Sequence, residues 1–151
     1  MVVATGRRGE STLPFPVPAN AHAADLFPYA DLLPRTDLMV TNGGWGGVLT
    51  ALSYGIPLVV AGGDLDKPTI AAMVARSGAG IDLRTGRPKP SAVAAAVDRI
   101  TTDPSYRRHA ARLAAQLAEH DTPAEVVQKV HRLLETGAPV LRSTDPWATT
   151  A

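Results

Sequence analysis

Cysteine is absent from the 151 residues. That excludes disulfides, thiolate metal ligands and a cysteine nucleophile, and it fits a reducing cytoplasm. An excess of either charge is also missing, since the formal net charge is +1. Bulk electrostatics therefore offers no hold on nucleic acid or an anionic membrane. No apolar stretch approaches the length of a membrane span, and Met1-Val2-Val3-Ala4 runs into Arg7, Arg8 and Glu10 without a leader-like apolar region. The expectation is a soluble, cytoplasmic chain. Several catalytic signatures are lacking too. Ser53 has no Gly-x-Ser-x-Gly elbow around it, and no glycine loop is followed by Lys-Ser or Lys-Thr. His22 falls in a loop, and His109, His120 and His131 fall in or beside late helical segments without metal-ligand spacing, which indicates surface positions. Arg107, Arg108 and Arg112 read as a solvated helix face. No metal site is expected.

What is present is an ordinary globular balance, 45% hydrophobic and 19% charged, long enough for one domain with a core. The chain is organised around Thr41-Asn42-Gly43-Gly44-Trp45-Gly46-Gly47. An apolar run, Asp37 to Val40, precedes this loop and reads as a short buried strand. Val48 to Tyr54, stopped by Gly55, follows it as a helix. Glycines at a strand-to-helix junction let backbone approach a ligand, and the first N–H groups of a helix lack internal partners. A phosphate or pyrophosphate suits such a place. A tight turn that needs glycine only for its geometry is the other reading.

The remaining chain alternates strand and helix. Val2–Gly6 reads as a buried strand with nothing ahead of it to pair, residues 7–22 as a loop, Ala23–Phe27 as a second short strand and Ala30–Pro34 as one helical turn. Pro57–Ala61 is the clearest strand, apolar throughout. Pro68–Arg76 is a helix with Ile70, Met73 and Val74 inward, and Gly80–Leu83 is a strand. Pro90–Ile100 is a helix with Val93, Val97 and Ile100 on one stripe. A helix opening at Asp103-Pro104 turns Tyr106, Leu113 and Leu117 inward. Thr122-Pro123-Ala124-Glu125 has the form of a capping box and starts a helix with Val126, Val127, Val130, Leu133 and Leu134 as its apolar face. Residues 138–151 lack periodicity and read as a flexible tail. The alternation predicts an α/β fold, a Rossmann-like parallel sheet with helices on both faces, and ligands bind such sheets beyond the carboxyl ends of the strands. The glycine loop and the Gly62–Lys67 loop both leave strands at that rim.

Thr41–Gly47, Ala51-Leu52, Gly55-Ile56-Pro57-Leu58-Val59-Val60, Asp66-Lys67, Ala71–Ala75 and Gly78-Ala79-Gly80 form one spaced series. The series resembles the donor-binding, C-terminal half of GT-B glycosyltransferases of the UDP-glycosyltransferase family 1, macrolide-type group. The resemblance implies that residues 1–137 form a nucleotide-sugar donor-binding domain, N-terminally incomplete, whose first strand and helix belong ahead of Val2. It also implies a UDP- or TDP-sugar as donor substrate, with no further cofactor and an inverting transfer to an acceptor hydroxyl.

By the same resemblance, Asn42, Gly43, Gly44, Gly46 and Gly47 face the donor phosphates. Asn42 stands where the family has histidine, and Gly47 where a hydroxyl residue is common. Trp45 either packs beside the ligand or fills space at the sheet edge. Asp66 and Lys67 stand at an Asp-Gln pair that touches the donor sugar; the other reading of Asp66 is a cap for the following helix. Phe27, Tyr29 and Thr50 stand where the family holds base and ribose. The general base belongs to an acceptor domain outside this chain, so no catalytic residue is assigned, and the chain alone is expected to be inactive. A separate acceptor domain or partner chain would complete the site. Two further readings stay open: a nucleotide-binding or partner-docking module that uses Val2–Ala4 as an unpaired edge, and a sugar-nucleotide 2-epimerase-like piece.

Overall fold

Leu58, Val59 and Val60 are all fully buried. A strand covered on both faces needs helices above and below it, and its alternating side chains must feed two separate clusters. The computed structural model, which describes residues 1–139, has this arrangement. Its elements run β1 (Val2–Ala4), β2 (His22–Ala24), α1 (Tyr29–Leu32), a 3-10 turn (Leu33–Arg35), β3 (Met39–Thr41), α2 (Trp45–Ser53), β4 (Leu58–Val60), α3 (Lys67–Arg76), β5 (Gly80–Asp82), α4 (Pro90–Thr102), α5 (Ser105–Ala118) and α6 (Thr122–Thr136). The chain divides into two compact units, one of Met1–Ala114 and one from Ala115 onward.

In the first unit β3, β4 and β5 form a parallel sheet in that spatial order. Thr41, Val60 and Asp82 lie in register, so the loops after all three strands leave from one rim. Leu58 and Val60 pack with Val48, Ala51 and Leu52 of α2 and with Ile70, Ala71 and Val74 of α3. Val59 faces the other way, against Ala96 and Ile100 of α4 and the half-buried Ile81 and Leu83. Each fully buried Val, Leu or Ile among them contributes roughly 1.5–3 kcal/mol through burial. On α5, Ala110 and Leu113 join the first cluster and Tyr106 the second. The expected α/β class with helices on both sheet faces is therefore what the chain adopts.

Several local expectations are corrected. Val2–Ala4 is neither buried nor unpaired: it is largely exposed and pairs in parallel with β2 in a separate two-stranded sheet. The strand expected from Ala23 is His22–Ala24, one residue earlier. Strand β3 is only half-buried, with Val40 48% exposed, because it borders the three-stranded sheet instead of lying inside it. On α3, Ala71 takes the inward place expected of Met73, which is exposed. On α4 the buried stripe is Ala96 and Ile100, with Val93 and Val97 half-buried. Two of the expected surface residues have structural work. His109 is half-buried, its Nδ1 3.2 Å from the Gly78 carbonyl oxygen, and Arg107 Nη2 donates to both the main-chain oxygen and the carboxylate of Asp37.

In the second unit the N-cap of α6 is Asp121, whose carboxylate accepts the Ala124 N–H at 3.1 Å. The Thr122 capping box is therefore not formed, and Glu125 meets His120 instead. Gly137 closes the helix in the left-handed conformation, at φ +63°. The face expected to turn inward, Val126, Val127, Val130, Leu133 and Leu134, is exposed. Leu117 of α5 is exposed as well. Of the expected tail, residues 140–151 lie outside the described residues.

Candidate functional site

Helix α2 begins three residues earlier than its apolar pattern indicates. Its N-cap is Gly44, and Trp45, Gly46 and Gly47 form its first turn. Val48 N–H already reaches the Gly44 carbonyl at 3.0 Å. The N–H groups of Trp45, Gly46 and Gly47 precede that first helical bond, so they have no partner inside the helix. The Thr41 hydroxyl accepts Gly43 N–H and the Asn42 side-chain oxygen accepts Gly44 N–H, each at 3.3 Å. Those contacts hold the loop and leave the Asn42 amide NH2 free to donate outward. Asn42 is exposed at the rim.

The glycines are not equivalent. Gly43 has φ +86°, and a Cβ on it would lie 2.7 Å from Val60 Cγ1. Packing against buried β4 therefore requires glycine there. At Gly46 and Gly47 a Cβ would meet nothing within 4 Å, and at Gly44 only the Asn42 side-chain oxygen, at 3.8 Å. A helical glycine costs about 0.5–1 kcal/mol relative to alanine. Gly46 and Gly47 carry that cost without any packing return, and they keep the start of the helix bare on its outer side.

The loop after β4 touches the glycine loop directly. A Cβ at Gly43 would lie 3.7 Å from Lys67 Cβ, and one at Gly62 would lie 2.7 Å from the Lys67 carbonyl oxygen. Gly43 and Lys67 are thus brought together. Asp66 is exposed and is the N-cap residue of α3: its main-chain carbonyl accepts the Ile70 N–H at 3.1 Å, while its carboxylate makes no cap bond. Lys67 is half-buried, and its ammonium meets the Asp64 carboxylate. Between them, Leu65 is 88% exposed and held at φ +54°, a backbone region that leucine rarely enters.

The base and ribose candidates are less tightly joined. Tyr29 opens α1 and is 42% exposed, and Phe27 is half-buried ahead of it. Leu33, just beyond α1, anchors this segment in the same cluster as Val48 and Leu52 of α2. No hydrogen bond among the described residues connects Phe27 or Tyr29 to the glycine loop. Thr50 already donates its hydroxyl proton to the Gly46 carbonyl at 2.8 Å, which leaves it as an acceptor for an outside hydroxyl. Trp45 is 46% exposed at the head of α2.

Sequence reasoning did not find a cleft of about 450 Å³ on the β5 side of the same rim, lined by Gly62, Gly63, Pro68, Asp82, Arg84, Thr85 and Gly86. Its walls meet where the two loops touch: a Cβ on Gly63 would lie 2.6 Å from Gly86 Cα. Asp82 accepts Arg84 N–H at 2.7 Å, and Arg84 sits at φ +55°. The Asp-x-Arg-Thr-Gly turn chemistry was the one signal available in the sequence. Among the described residues no group of three or more His, Cys, Asp or Glu side chains is placed to hold a metal ion. No helix among them is long and apolar enough to cross a membrane.

Residues 1–133 match the sequence family described as "Erythromycin biosynthesis protein CIII-like, C-terminal domain". The chain is 42% identical over 119 residues to 4'-demethylrebeccamycin synthase of Lentzea aerocolonigenes, covering 79% of this chain and 28% of that protein. It superposes on the calicheamicin glycosyltransferase CalG4 with a TM-score of 0.79 and 27% identity, over 91% of this chain and 36% of that one. It also superposes on the glycosyltransferase SsfS6 of Streptomyces sp. SF2575, solved with thymidine diphosphate, with a TM-score of 0.62 and 35% identity, over 74% of this chain and 29% of that one. The chain thus spans about a third or less of the length of these relatives. It has the fold of the C-terminal domain of GT-B glycosyltransferases, and it belongs to the erythromycin biosynthesis protein CIII-like C-terminal domain family.

Proposed function

We propose that this chain supplies the donor side of a glycosyl transfer, holding the diphosphate of a UDP- or TDP-sugar at the start of α2. The observation that carries the reading is the bare first turn of that helix. A Cβ at Gly46 or Gly47 would meet nothing within 4 Å, and one at Gly44 only the Asn42 side-chain oxygen, so there is room in front of N–H groups with no partner inside the helix. Family membership and a relative solved with thymidine diphosphate support the choice of ligand. The Asp66 carboxylate, which makes no cap bond to α3, is free to accept from sugar hydroxyls. Tyr29 offers a face to the base, and Thr50 an acceptor to the ribose.

In the transfer, an acceptor oxygen attacks the anomeric carbon as the bond from that carbon to the phosphate oxygen breaks, the electron pair leaving with the diphosphate. A single displacement of this kind inverts the anomeric centre. The chain's part is electrostatic: N–H groups and the Asn42 amide aim at the oxygen where charge develops. The acceptor's proton needs a base. That role, with the acceptor site, is assigned to a separate acceptor domain or partner chain. A cytoplasmic setting completes the reading, supported by the absence of cysteine.

Calorimetric titration with UDP and dTDP, with ADP as control, tests the reading. Binding of UDP or dTDP that is lost in Asn42→Ala and Gly44→Val supports it. A folded chain that binds neither, or binds ADP equally well, overturns it.

A further inference from the structure

We propose that Lys67 is the cation that holds the donor's diphosphate, and is not a contact to the sugar. The inference rests on the donor-site reading above and deepens it.

A nucleoside diphosphate brings at least two negative charges, and the loop that would receive it has no ionisable side chain from Thr41 to Gly47. Peptide N–H groups and the Asn42 amide supply only partial charges. Charge-assisted bonds to phosphate are roughly twice as strong as neutral ones, so a nearby cation would dominate the binding. Lys67 is in the right place. A Cβ at Gly43 would lie 3.7 Å from Lys67 Cβ, and one at Gly62 would lie 3.0 Å from it, so the lysine stem starts between the two loops. Arg84 follows β5, and β4 separates that strand from β3 and the glycine loop.

The ammonium is also available. Its partner is Asp64, three residues earlier, whose side chain is 71% exposed while that of Lys67 is 22% exposed. With the carboxylate in solvent, the pair is open to screening and competition. The flexible four-carbon stem can therefore exchange the Asp64 carboxylate for a phosphate oxygen. Asp64 then holds the Lys67 ammonium near the rim while the site is empty. Asp66, with no ammonium on it, remains for sugar hydroxyls.

The test titrates UDP, dTDP and their monophosphates into the wild-type chain, Lys67→Gln and Lys67→Arg, each shown to be folded by circular dichroism, at low and at moderate salt. Lys67→Gln is expected to lose about 10-fold or more in diphosphate affinity. Its preference for diphosphate over monophosphate should collapse, and its salt dependence should flatten. Lys67→Arg should retain most of the affinity. Lys67→Gln that keeps the wild-type affinity and preference overturns the inference while leaving the donor reading intact, because Asn42→Ala and Gly44→Val report on that separately. A loss equal for mono- and diphosphates, unchanged in salt dependence, assigns Lys67 a structural part and overturns it as well. A folded wild-type chain that binds no nucleotide overturns both.

Discussion

Replacing Gly43 and Gly46 separately by alanine distinguishes a glycine required by the fold from one required by a ligand. At Gly43, φ is +86°, and a non-glycine residue with left-handed backbone costs about 1–2 kcal/mol. The new methyl would also lie 2.7 Å from Val60 Cγ1, well inside the ordinary carbon–carbon contact of about 3.5–4.0 Å. Val60 cannot retreat easily, since β4 is hydrogen-bonded on both sides and buried on both faces. Overpacking of this kind adds about 1–3 kcal/mol. Together the two effects predict a loss of about 2–5 kcal/mol for Gly43→Ala, a large part of the 5–15 kcal/mol or so typical of a domain. At Gly46 a methyl meets nothing within 4 Å and the backbone is helical, so Gly46→Ala should be neutral or stabilising by up to about 1 kcal/mol. The assay is urea unfolding followed by circular dichroism, paired with UDP and dTDP titration. Gly46→Ala should unfold at the same or higher urea yet bind diphosphate more weakly, because its methyl stands where the ligand approaches. The reasoning is refuted if Gly43→Ala falls within about 0.5 kcal/mol of wild type, or if Gly46→Ala is as damaging to stability as Gly43→Ala.

Other expectations follow from single contacts. Gly78→Ala should destabilise by about 2 kcal/mol or more in urea unfolding, because Gly78 has φ +76° and a methyl there would lie 2.5 Å from the His109 ring nitrogen. Hydrogen bonding by the Ser105 hydroxyl, then by its N–H, holds the Asp103 carboxyl below the usual carboxylate range. A lowered folded-state pKa contributes stability above the unfolded value and loses it as pH falls through the folded one. Asp103→Asn should therefore flatten the acid end of the stability profile, and an unchanged profile counts against the contact. Asp121→Ala should cost α6 about 1 kcal/mol while Thr122→Ala costs much less, read as hydrogen exchange at the Ala124 amide. Equal effects would return the cap to Thr122.

How far the sequence could be read depended on how local the determining physics was. Strand β4 is legible because an all-apolar, β-branched tripeptide between glycines has few other uses, and both its faces are buried as that pattern demands. The glycine loop and the Asp66-Lys67 pair are legible through their spacing, and the structure does bring Lys67 against Gly43. Which glycine answers to packing was not legible, since that depends on Val60, seventeen residues on. The half-exposure of β3 escaped for a similar reason: Leu38 to Val40 is apolar, but only sheet order makes it a border strand. His109 looks like a surface residue until Gly78 is found beside its ring. Asp121 and Thr122 are both competent caps, and one residue of offset decides between them. The cleft beside Arg84 depends on two glycines from different loops meeting, which no single window of sequence contains.

The central claim is that the bare start of α2 receives a nucleoside diphosphate. Its most direct test is a titration of the isotope-labelled chain with UDP and with dTDP, following the backbone amide resonances. The account predicts saturable shifts centred on Gly43 to Gly47 and on Lys67, with the amides of α4 unmoved. Shifts confined to the Gly62–Gly86 cleft, or none in a folded chain, would contradict it.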